Sequence, residues 1–139
     1  MSDAVRALGL ALAAATAACT SLAPPPCAPG EERSVQELIY FGTGRPGGGV
    51  VTSDDWARFL STVVTPRFPQ GLTVWPASGQ WQGADGTVTR EGSYVLNLVH
   101  RGDSGSEASI RAIAGDYASR FGQEAVLRVR SAACASFQR

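Results

Sequence analysis

The sequence predicts a two-layer α+β sandwich with the element order β-α-β-β-α-β. Two segments with apolar residues at helical spacing predict it, together with four short strand-like runs and a tight-turn signal between the second run and the third. Leu38-Ile39-Tyr40-Phe41, closed by Gly42, reads as the first strand, β1. Helix α1 opens at Thr52, which caps it with Asp55 three residues on; Asp54 and Asp55 suit the positive end of the helix dipole. Trp56, Phe59, Leu60, Val63 and Val64 then share one face until Pro66 stops the helix.

Leu72 to Trp81 reads as β2, and Asp85-Gly86 as a two-residue turn into β3, Thr87 to His100. Ser104 and Glu107 form a capping box for α2, which carries Ile110, Ile113, Ala114, Tyr117 and Phe121 and ends at Gly122. Val126 to Arg130 alternates as β4. Right-handed crossovers place both helices on one face of an antiparallel sheet ordered β4, β1, β3, β2, the ferredoxin-like arrangement, although a tautomerase-like or other α+β sandwich shares the element order.

Residues 1–23 read as a leader, 24–34 as a proline-rich tether and 35–139 as a single domain. From Leu8 to Ala18 the chain is uncharged and apolar, preceded by Arg6 and followed by Cys19, the pattern of a secretory signal. Eleven helical residues rise only ~16 Å, too little to span a bilayer. Thr16-Ala17-Ala18-Cys19 looks like a bacterial lipobox with Thr16 where leucine is usual, and cleavage at an Ala-x-Ala site competes with it. Three cysteines in an exported chain leave one unpaired, so lipidation of Cys19 leaves Cys27 and Cys134 to pair. The predicted strand order supports that pairing, because the segment preceding β1 lies beside the segment leaving β4. The chain is therefore expected in the cell envelope, held to a membrane through Cys19, with a secreted soluble form as the alternative.

Composition excludes several functions. Twelve basic residues balance twelve acidic ones, which leaves no electrostatic footprint for nucleic acid. One histidine and three cysteines do not make a metal site, and no cofactor is expected. Gly42-Thr43-Gly44-Arg45-Pro46-Gly47 fits a dinucleotide loop, but the helix starts too late and opens on Asp54 and Asp55, which repel a pyrophosphate. His100, Asp103 and Ser104 are neighbours in sequence rather than a triad, and Ser104 is already assigned to a helix cap.

The β2–β3 hairpin is the richest region. A two-residue turn puts Trp81 opposite Arg90 and Gln80 opposite Glu91, which gathers an aromatic, a cation, an amide and a carboxylate. Arg67, like Arg45, flanks α1 and can reach a small anion. In β1 and β3 both faces are mostly apolar, so the sheet face away from the helices needs cover, and a second subunit packed sheet to sheet is the simplest.

Tyr40-Phe41-Gly42, Val64-Thr65-Pro66-Arg67-Phe68-Pro69-Gln70-Gly71-Leu72, Gly79-Gln80-Trp81, Arg90-Glu91 and Ala133-Cys134-Ala135-Ser136-Phe137 together resemble the domain of unknown function family 3574 over residues 38–137. The resemblance implies a bacterial exported protein, often with a lipoprotein-type signal, and no activity. Two functions follow as expectations. One is a non-catalytic envelope domain that binds a ligand or partner; the other is a small dimeric ferredoxin-like alpha-beta barrel enzyme acting on an apolar molecule. Tyr40, Arg67, Trp81, Arg90, Glu91, Asn97 and His100 are the candidate ligand-binding residues.

Overall fold

The structure, a computed structural model, describes residues 25–138, so the leader and Cys19 lie outside the described residues. Four antiparallel strands, β1 (Glu32–Gly42), β2 (Thr73–Gln82), β3 (Val88–His100) and β4 (Leu127–Ala135), lie in the order β2-β3-β1-β4. Helices α1 (Ser53–Phe59) and α2 (Ser104–Phe121) complete an α+β domain.

Thr52 caps α1 by accepting from the Asp55 amide while Asp55 accepts from the Thr52 amide, the capping box expected there. A π-helical turn, Leu60–Val64, continues the helix and closes with the Thr65 amide donating to the Leu60 carbonyl. The cap of α2 is Asp103 rather than Ser104: its carboxylate accepts from the Ser106 amide at 2.8 Å. A carboxylate at the positive helix end outcompetes the hydroxyl one residue on. Gly122 ends α2 in the left-handed conformation, φ 69°, which costs glycine nothing.

Both helices pack on the same face of the sheet. Ile39 and Phe41 from β1 and Leu96 and Leu98 from β3 meet Trp56, Phe59, Val63 and Val64 of the first helical segment and Ile110, Ile113, Tyr117 and Phe121 of α2 in one cluster. Aromatic rings fill its centre: Phe41 lies 4.6 Å from Tyr117, and Trp56 stacks on Tyr94 at 4.6 Å. The Tyr117 hydroxyl donates to the Gly42 carbonyl at 2.8 Å, so the buried phenol is satisfied.

Three boundaries differ from the sequence reading. β1 starts six residues earlier, at Glu32, because β4 pairs with Glu32, Arg33 and Ser34 before β3 joins on the other side from Val35. β4, an edge strand, runs on through the small residues Ser131–Ala135 because the first half of β1 pairs with them. The hairpin is one residue out of the expected register: Gly79 faces Glu91, Gln80 faces Arg90 and Trp81 faces Thr89. Its loop has three residues, 84–86, closed by the Gly83 amide on the Thr87 carbonyl, with Gly86 at φ 83°. That loop matches strand twist as well as a two-residue turn does, and it moves every pairing by one.

Candidate functional site

The register sorts the side chains of each strand onto two faces. Leu38 and Tyr40 of β1, Val95, Asn97 and Val99 of β3, Trp75 of β2, and Leu127 and Val129 of β4 point away from the helices. Val95 is buried by its neighbours; Trp75, Val99, Leu127 and Val129 stay 40–54% exposed. Within this open face the side chain of Gln36 donates through Nε2 to Asn97 Oδ1 at 3.0 Å.

Polar residues lie on the other face, under α2. Glu37 is fully buried there, and Arg128 grips both of its oxygens, Nε to Oε2 at 2.7 Å and Nη2 to Oε1 at 2.6 Å. The same guanidinium holds both oxygens of Glu107 in the first turn of α2, at 2.8 and 2.6 Å. These hydrogen bonds hold the Glu107 carboxyl down to about 2 and push the Arg128 guanidinium up. Arg130 adds longer contacts to Glu37 at 3.7 Å and Glu107 at 3.9 Å. β4 is thus inverted: its arginines face the protein interior, and its Leu127 and Val129 face outward.

His100 borders this cluster. Its Nδ1 accepts from the Gly102 amide at 3.0 Å, while Nε2 lies 3.5 Å from Glu37 Oε1 and has no hydrogen-bond partner among the described residues. The ring is 5% exposed and faces Phe68 at 5.9 Å. Glu37, clasped by a guanidinium and shut off from solvent, joins β1, β4 and α2 in one ion network.

The predicted binding residues do not converge. Tyr40 and Asn97 lie on the open face, and His100 on the helix face. Arg67 bends back on its own helix, donating to the Val63 carbonyl at 2.8 Å and to Asp116 at 3.3 Å. Trp81 and Arg90, expected to face each other, point to opposite sides of the hairpin once the register is corrected. Glu91 is committed elsewhere: its Oε2 accepts from the Gly44 amide at 2.6 Å, just past the end of β1. A Cβ at Gly42 or Gly44 would sit 2.7–2.8 Å from that carboxylate, so both glycines make room for it. A shallow open hollow of about 500 Å³ lies along Ser78, Gly79, Gln80, Arg90, Glu91 and Gly92.

Cys27 and Cys134 are joined in a disulfide with their Cα atoms 5.6 Å apart, and it ties the N-terminal segment to the end of β4. With the Glu31 carboxylate these sulfurs form a cluster of metal-ligand type among the described residues, but each sulfur is bonded to the other. The sequence reading missed Glu37 and Arg128, and gave Glu107 a capping role in place of its bonds to Arg128. The signal was present: period-two alternation from Ile39 and Phe41 places Glu37 on the core side, where a carboxylate needs a cationic partner.

The family model described as "Protein of unknown function (DUF3574)" matches residues 36–137, which takes in both helices, β2, β3, β4 and β1 from Gln36 on. A solved structure of a phage SAM lyase in complex with S-methyl-5'-thioadenosine is similar in fold, with a TM-score of 0.57 and 12% identity over 81% of this chain and 95% of that one. The apo state of a phage SAM lyase gives a TM-score of 0.49 at 12% identity, over 84% of this chain and 98% of that one. No curated protein sequence matches the chain.

Proposed function

This chain belongs to the DUF3574 family of proteins of unknown function, and we propose that it is an exported, lipid-anchored envelope domain whose open sheet face binds a partner and which carries out no catalysis of its own. The partner in this reading is a second copy of the chain, packed sheet to sheet, and the fold is ferredoxin-like. The observation that carries the reading is the inversion of β4. A sheet that faces water puts its charged residues outward, but here Arg128 and Arg130 turn toward Glu37 and Glu107 while Leu127, Val129, Val99 and Trp75 line the outside.

The space between sheet and helices supports a binding role over an enzymatic one. An enzyme acting on an apolar molecule there needs an enclosed pocket with a few placed polar groups. Phe41, Trp56, Phe59, Tyr117 and Phe121 occupy that space instead.

Anchoring at Cys19 rests on the apolar run that ends at that residue. Intact mass of the protein extracted from membranes tests it: a diacylglyceryl adduct on a chain starting at Cys19 is expected, and an unmodified mature chain beginning at another residue removes the anchor. Sedimentation equilibrium tests the face, with a dimer as the expected species.

A further inference from the structure

The open face carries one hydrogen-bonded polar pair in its apolar middle, Gln36 on β1 with Asn97 on β3. Their direct cross-strand partners are Val99 and Leu38, and Asn97 also faces Thr73 of β2. The pair uses one N–H of Gln36 and one oxygen of Asn97. An amide holds two donors and a two-lone-pair acceptor, so Asn97 Nδ2 and Gln36 Oε1 remain to be satisfied once the face is covered.

We infer that these amides fix the register of a two-fold dimer, with Asn97 Nδ2 of one copy donating to Gln36 Oε1 of the other and the reverse contact formed by symmetry. The inference rests on the proposed pairing of open faces and names the contact that selects one arrangement of it.

Three features of the face favour a second copy as the occupant. First, its middle is uncharged: the strand positions that point outward hold a carboxylate only at Glu32 and Glu91, toward the ends. The two carboxylates share a sign but lie toward the ends, so the uncharged middle sets no repulsion against a copy of itself. Second, the unused groups are self-complementary: among the described residues Asn97 Nδ2 and Gln36 Oε1 have no hydrogen-bond partner, a donor and an acceptor on every copy. Third, four strands ~4.8 Å apart with outward residues spread over ~23 Å give each copy roughly 450 Å² of flat area. The accessible surface is larger, so two copies bury on the order of 1,000 Å², where specific interfaces begin.

A flat apolar face alone permits sliding and rotation of one sheet on the other. A register slipped toward Leu38, Val95 or Val129 leaves the amides against apolar side chains with no partner, a penalty that aligned copies avoid; the hydroxyls beside the pair, Ser131 and Thr73, lie to its sides. One asparagine at a coiled-coil seam specifies register in the same way.

Mixing two single-cysteine variants of the exported protein, Gln36→Cys and Asn97→Cys, with the Cys27–Cys134 bond left intact, tests the contact. In the mixed dimer one inter-chain contact becomes cysteine on cysteine, and the symmetry-related one keeps asparagine on glutamine. Mild oxidation should therefore cross-link the mixture several-fold more than either variant alone. Equal cross-linking of Gln36→Cys by itself, or a sedimenting dimer that never cross-links in the mixture, overturns the register but leaves the face-to-face dimer standing. A wild-type protein that sediments as a monomer at millimolar concentration overturns both.

Discussion

Arg128 clasps Glu37 with two of its nitrogens, at 2.7 and 2.6 Å, and the carboxylate it holds is fully buried. The two residues come from neighbouring strands at opposite ends of the chain order, so the clasp ties β4 to β1 from the side chains as well as the backbone. Its second pair of bonds, to Glu107, ties the first turn of α2 to the same point.

Breaking the clasp from one side should cost far more than replacing it. Arg128→Met leaves Glu37 buried without its main partner, which costs about 3–5 kcal/mol. Adding Glu37→Met should recover much of that loss, because an apolar pair of similar volume carries no desolvation penalty. Urea unfolding midpoints of the single and double variants check this; a single variant as stable as wild type contradicts it.

Acid should weaken the fold through Glu107. The hydrogen bonds from Arg128 hold its carboxyl down to about 2 from an ordinary 4.5, against the opposing effect of burial and with a lesser contribution from Arg111. A lowered folded value stabilises above the unfolded one and loses that contribution as pH falls, so the unfolding midpoint should drop between about pH 5 and pH 2. Glu107→Gln should flatten part of this slope. Part remains, because hydrogen bonds from Thr52 and Ser106 also lower Asp55 and Asp103 at the helix caps. An unchanged slope in Glu107→Gln contradicts the assignment.

The disulfide closes a loop of 107 residues. Cys134→Ser should reduce stability by up to ~4.7 kcal/mol in the chain-entropy view and leave Cys27 open to thiol reagents. Two freely titrating thiols in the wild-type exported protein would contradict the pairing.

Much of this was legible in the sequence where local chemistry decides. The Thr52-Asp55 box, the Gly122 stop and the apolar faces of both helices all have short-range signatures, and the structure has them in place. The hairpin register was not legible: a two-residue and a three-residue loop around Asp85-Gly86 both suit strand twist, and the choice between them sends Trp81 and Arg90 to opposite faces. The ends of β1 and β4 were hidden for another reason. Ser34, Gln36 and Ser131 have weak strand propensity and are held by their neighbours across the sheet rather than by their own preference. Glu37 falls one residue before the strand that the apolar run Leu38–Phe41 marks out. Its role depends on Arg128, ninety-one residues away, which no local pattern connects to it.

The central claim, that the open face exists to be covered by a second copy, is tested most directly by sedimentation equilibrium of wild type against Val99→Arg. Val99 is 49% exposed, so a long cationic side chain fits there in a free domain without disturbing the core. In a closed apolar interface the same charge costs several kcal/mol. Wild type should sediment as a dimer whose melting temperature rises with protein concentration, and Val99→Arg as a monomer with unchanged circular dichroism and a melting temperature independent of concentration. A monomeric wild type at millimolar concentration, or a Val99→Arg protein as dimeric as wild type, contradicts the claim.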